Sequence, residues 1–104
     1  MWRQPEVASI GPAEVAEKQA AGWMLLDVRT DEEWAEGRIP GATHIPLNEL
    51  VARLDEVTDP VVCICAVGGR SARATQFLQA QGREAVNLDG GVQAWAAQGG
   101  GLQR

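Results

Sequence analysis

The residues most able to do chemistry stand together in Cys65-Ala66-Val67-Gly68-Gly69-Arg70-Ser71, directly after the apolar run Val61-Val62-Cys63-Ile64. A strand that stops at a thiol, turns through two glycines and enters a helix leaves the amides of the turn and first helical turn without carbonyl partners. Those amides form an inward-facing cradle for an anion. Cys65 lies at its floor and Arg70 closes it. A thiol in such a place has a lowered pKa, so a nucleophilic thiolate is populated and a negatively charged sulfur adduct is held by the same donors. Gly68 and Gly69 supply the positive φ and close backbone approach that an inward ring of N–H groups requires.

The elements around this loop alternate. Val7 to Ile10 reads as a first strand, and Gly11-Pro12 opens a helix carrying Val15, which Ala21-Gly22 ends. Trp23 to Val28 is a nearly continuous apolar run, the mark of a strand buried on both faces. Thr30 and Glu33 form a capping-box pattern for a short helix that would bury Trp34. Ala42 to Ile45 is a short strand. Pro46 then opens a further helix with Leu47, Leu50, Val51 and Leu54 at helical spacing. The helix after the Cys65 loop carries Ala74, Phe77, Leu78 and Gln81 and stops at Gly82. A last strand, Glu84 to Leu88, leads through Asp89-Gly90-Gly91 into a helix with Val92 and Trp95. Residues 98–104 read as a frayed tail. Strand–helix alternation predicts one α/β domain spanning 1–104, its core over 7–97. Its mostly parallel sheet of about five strands has helices on both faces. In such sheets ligands bind at the carboxyl ends of the strands, which is where Cys65 stands.

Composition narrows the partners. The chain has 104 residues and a formal charge of −5, with no basic run, which argues against a nucleic-acid partner. No stretch approaches a membrane span, and no basic segment followed by an apolar core opens the sequence, so a cytoplasmic location is expected. Cys63 and Cys65, two apart on one strand face, suit a disulfide poorly. With His44 the only histidine, they also fall short of a metal site, so no metal or organic cofactor is expected. Cys63 reads as core. The helix patterns are satisfied by a monomer.

Asp27-Val28-Arg29, Glu33-Trp34, Gly37 through Ala42, His44-Ile45-Pro46, the Cys65 loop and Leu88-Asp89-Gly90-Gly91 with Ala94-Trp95 together resemble the single-domain rhodanese-like sulfurtransferases, over nearly the whole chain. The resemblance implies a reaction. Cys65 attacks the sulfane sulfur of a donor such as thiosulfate or a low-molecular-weight persulfide, becomes a persulfide, and passes the sulfur to cyanide, a thiol or a protein acceptor. It also implies that amides from Ala66 to Arg70 hold the persulfide, with Ser71 completing the loop and Arg70 positioning loop or donor. Asp27 would brace the loop and Arg29 the Glu33 helix, while His44 is a strand-end residue. Related phosphatases and arsenate reductases of this fold place one residue more between cysteine and arginine. Here Ala66, Val67, Gly68 and Gly69 make a gap of four, a ring suited to a sulfur atom, which leaves that chemistry as the weaker alternative. A non-catalytic binding module of the same fold is the other. Members favouring thiosulfate often carry a basic residue where this chain has Ala66 and Val67, so its loop mouth is more apolar.

Overall fold

The computed structural model describes residues 7–104, and Trp2 lies outside them. Five strands form one sheet in the order β1-β5-β4-β2-β3, all pairs parallel. They are β1 Ser9–Ile10, β2 Met24–Asp27, β3 Thr43–His44, β4 Val61–Ile64 and β5 Ala85–Leu88. The helices are α1 Val15–Ala20, α2 Asp31–Glu36, α3 Gly69–Ala80 and α4 Gly91–Ala97.

Alternate side chains of the central strand β4 enter two separate cores, as strand pleating requires. Val61 and Cys63 join Leu26, Ala74 and Leu78 on the α3 face. Val62 and Ile64 join Val15, Leu25, Ile39 and Val92 on the face covered by α1 and α4. All four β4 residues are fully buried, which explains their unbroken apolar run. From β4 the chain crosses to β5, and from β2 it crosses to β3, so the two connections leave in opposite directions. A crevice opens where they part, at the carboxyl ends of β2 and β4. Met24 pairs with Val61 and Asp27 with Ile64, so the residues following each strand emerge side by side.

Several elements differ from the pattern read in the sequence. The helix expected after Pro46 is two short 3-10 helices, Leu47–Glu49 and Leu54–Glu56, and Val51 is 72% exposed. Leu47 and Leu50 are three apart, a spacing that a 3-10 turn serves as well as an α-turn. Arg53 ties the two segments together through Glu49 at 2.9 Å and Glu56 at 2.8 Å. β1 covers only Ser9 and Ile10 of its predicted span. Trp34 is half-buried rather than core: its ring stacks on His44 at 4.8 Å, with the Arg38 guanidinium 4.6 Å from its centroid. The C-terminal residues, predicted to fray, fold back instead. Arg38 and Gln103 exchange backbone hydrogen bonds of 2.8 Å, and Trp95 Nε1 donates to the Gly101 carbonyl. Leu102 lies beside Gly37 there, and Gly100 sits so close to the Trp95 ring that a Cβ would clash with it.

Candidate active site

Cys65 follows β4 and is almost wholly buried. Its sulfur accepts the Gly68 N–H at 3.0 Å and lies 3.3 Å from Ser71 Oγ. Gly68 takes φ 105° at the N-cap of α3, and a Cβ there would press on the Gly90 amide nitrogen at 3.2 Å. Gly69, also expected at positive φ, is instead an ordinary first helical residue, because the turn closes with one left-handed position. The outer side of the loop is held by the start of α4: Val92 N–H donates to the Cys65 carbonyl at 2.8 Å and Gln93 N–H to the Ala66 carbonyl at 3.0 Å. With those carbonyls turned outward, the loop amides face the sulfur.

Burial pushes the Cys65 pKa up, but the Ser71 hydroxyl and the amides of Ser71, Gly68 and Val67 outweigh it, so the thiol lies below its ordinary value. The ionised form therefore stabilises the fold fully above the ordinary thiol pKa, and that contribution fades as pH falls through the lowered one. Cys63, on the same strand, is pushed up to about 11 by burial and stays a thiol. Two cysteines of one type differ because Cys63 has only the Thr75 hydroxyl to set against its burial, whereas Cys65 has the Ser71 hydroxyl and three amides.

Ser71 is fully buried, and its hydroxyl also reaches Asn87 Oδ1 at 2.5 Å and the Gly68 carbonyl. One hydroxyl proton cannot serve three acceptors. Turning the Asn87 amide end for end makes Nδ2 the donor to Ser71 Oγ and frees the proton for the charged sulfur. Asn87 was missed in the sequence, although a lone polar residue in the apolar strand run Ala85-Val86-Asn87-Leu88 is a legible signal. Ser71→Ala removes the principal side-chain donor. The pH midpoint of Cys65 alkylation is expected to rise, since a hydrogen bond to the charged sulfur is lost while the amides remain. An unmoved midpoint assigns the lowering to the amides alone.

Arg70 does not stand open to the loop. Its Nη1 and Nη2 donate to Glu33 Oε1 and Oε2 at 2.6 and 2.8 Å, a bidentate pair joining α3 to α2. Glu33 keeps its cap role as well, accepting the Thr30 N–H at 3.0 Å while its own N–H reaches Thr30 Oγ1. The Arg70 hydrogen bonds lower the Glu33 pKa from 4.5 to about 2. A depressed carboxylate of this kind contributes its stability above pH 4.5 and loses it as pH falls through about 2. An NMR titration of the Glu33 side chain is expected to show that midpoint, and Arg70→Gln to return it toward 4.5. A midpoint unmoved by the substitution would dissociate the pair.

Asp27, expected to brace the loop directly, instead braces Arg29: both carboxylate oxygens take guanidinium bonds of 2.8–3.0 Å. The reason is position, because Asp27 ends β2 inside the sheet and is fully buried. Arg29 in turn donates to the Glu33 and Gly37 carbonyls at 3.2 and 2.7 Å, tying it to α2 and the residue that follows it. Support thus runs from Asp27 through Arg29 and α2 to Glu33 and Arg70. His44 Nε2 lies 2.7 Å from the Arg29 carbonyl, a strand-end contact. Arg70 and Arg29 also line a cavity of about 460 Å³ with Thr30, Asp31, Glu32 and Glu49. A second cavity, about 270 Å³, is bordered by Arg29, Glu33, Glu36, Ala66 and Gln93. Among the described residues no group of three or more His, Cys, Asp or Glu side chains could hold a metal ion.

The Rhodanese-like domain family model matches residues 11–98. The chain belongs to this family. As a rhodanese-like domain it is 38% identical over 94 residues to a putative sulfurtransferase of Bacillus subtilis, covering 86% of this chain and 91% of that one. It is 40% identical over 79 residues to a sulfurtransferase of Allochromatium vinosum, covering 73% and 74%. A rhodanese-related protein from Thermoplasma volcanium, 34% identical, superposes with a TM-score of 0.86 over 92% of this chain and 97% of that one. The all-parallel five-stranded sheet is thus the rhodanese-like fold.

Proposed function

We propose that this rhodanese-like domain is a sulfurtransferase working through a persulfide on Cys65. The carrying observation is the Cys65 sulfur within a ring of donors that lowers its pKa, with Gly68 N–H at 3.0 Å and Ser71 Oγ at 3.3 Å. The Cys65 thiolate attacks the sulfane sulfur of thiosulfate or of a low-molecular-weight persulfide. A sulfur–sulfur bond forms, the donor's own bond to that sulfur breaks, and sulfite or a thiolate leaves with the electron pair. The thiolate is already deprotonated, so no base is required. The terminal sulfur of the adduct carries the negative charge and is held by the amides from Ala66 to Arg70 and by Ser71. Cyanide, a thiol or a protein acceptor then attacks that sulfur and releases the Cys65 thiolate. No cofactor takes part in this sequence, and the domain is proposed to act as a cytoplasmic monomer.

Intact mass spectrometry after incubation with thiosulfate, and separately with glutathione persulfide, tests the intermediate. A gain of about 32 Da on Cys65, removed by cyanide, is the result expected for covalent transfer. No adduct from either donor on folded, reduced protein would favour the binding-module alternative.

A further inference from the structure

The only side-chain cation of the loop is neutralised before any donor arrives. Arg70 is spent on Glu33 through two short bonds. Arg29 is saturated by Asp27 and by the Glu33 and Gly37 carbonyls. The loop itself offers Ala66 and Val67, the latter 60% exposed. The cavity beside Arg70 adds Asp31, Glu32 and Glu49, and the one beside Ala66 adds Glu36. Backbone amides suffice for one negative sulfur, but nothing in this wall compensates a second charge on the group that leaves.

We propose that Glu33 is a specificity-determining residue: by cancelling Arg70 it selects sulfane donors whose leaving group is a monoanion, such as an organic thiosulfonate, over the thiosulfate dianion. The inference rests on the sulfur-transfer reading above. The two donors undergo the same step. With thiosulfate the Cys65 thiolate takes the sulfane sulfur and sulfite leaves as a dianion. With methanethiosulfonate the leaving group is methanesulfinate, a monoanion in which a methyl replaces a charged oxygen. Charge balances in both, and the pair differs at the site in a single unit charge.

The test is kcat/KM for methanethiosulfonate and thiosulfate, with cyanide as acceptor, in the wild type, Glu33→Gln, Glu33→Gln with Arg70→Gln, and Arg73→Gln. Glutamine also serves a capping box, so Glu33→Gln leaves α2 its N-terminal bonds, and thermal melting checks the fold. The wild type is expected to favour methanethiosulfonate. Glu33→Gln is expected to shift the ratio toward thiosulfate on the order of tenfold, as one unit charge several ångströms away implies at an effective dielectric constant of about 20. That shift should shrink as salt is raised. The double variant should return the ratio to about the wild-type value, because both charges are gone. Arg73, exposed on α3 and without an ion pair among the described residues, lines neither cavity, and its variant should leave the ratio within about twofold, as expected for a screened surface charge. Equal losses with both donors in Glu33→Gln would reduce Glu33 to a brace and overturn the proposal while sulfur transfer stands. No Cys65 persulfide from either donor in the wild type would overturn the sulfur-transfer reading itself.

Discussion

Cys65→Ser is expected to abolish sulfur transfer, by more than about a thousandfold, while Cys63→Ala retains most of it. The contrast follows from environment. Cys65 has Gly68 N–H, the Ser71 hydroxyl and further loop amides around its sulfur and a lowered pKa. Cys63, two residues earlier and on the same sheet face, is enclosed by the α3 core and held near 11 by burial. A hydroxyl in place of the Cys65 thiol stays protonated and cannot form a persulfide, so the loss lies in chemistry rather than in binding. Removing one sulfur from the core at Cys63 costs about 1 kcal/mol of stability and leaves the loop in place. Persulfide formation by mass, steady-state transfer to cyanide and urea denaturation of both variants check this. A folded but inactive Cys63→Ala would move the nucleophile to Cys63.

Gly91→Ala should give the largest stability effect of any single methyl group added near the site. Gly91 sits at φ +59°, and a Cβ there would fall within contact distance of the Cys65 carbonyl oxygen and 2.6 Å from the Ala66 carbonyl carbon. Both obstacles are backbone, so neither can swing away. Left-handed alanine costs about 1–2 kcal/mol, and displacing α4 from the loop also loosens the bonds from Val92 and Gln93 to the Cys65 and Ala66 carbonyls. A total on the order of 3 kcal/mol or more is expected. The urea midpoint should fall, and the pH midpoint of Cys65 alkylation should rise as the amides lose their aim. A destabilised protein with an unchanged alkylation midpoint would separate the clamp from the thiol's ionisation. Gly11→Ala, with open space and ordinary φ, is the control.

The sheet was legible because its signals are local. An unbroken apolar run from Val61 to Ile64 has one inexpensive solution, a central parallel strand buried on both faces, and the structure adopts it. The Thr30 and Glu33 capping box and the start of α3 at the glycine pair were equally readable, since a cap needs only residues three apart and a turn only glycine. The Pro46 segment was less so. Its leucines satisfy two helical periods at once, and the 3-10 turns set Leu50 into the core on the α3 face with Leu47 and Leu54 packed against it.

What the sequence by itself determined is the order of elements, the thiol at the end of β4 and the glycine-rich entry to α3, because each depends on covalent neighbours. Only the tertiary structure decided what those residues meet. Glu33 and Arg70 are thirty-seven positions apart, and the bond between them exists because the β2 and β4 crossovers part and face each other. Asn87 reaches Ser71 from a different strand, and Gly91 closes on Cys65 from a different helix. Charge cancellation, aim of the amides and the direction of the thiol's pKa are set by distances across the fold. Sequence spacing carries no information about those distances until the sheet has brought the chain together.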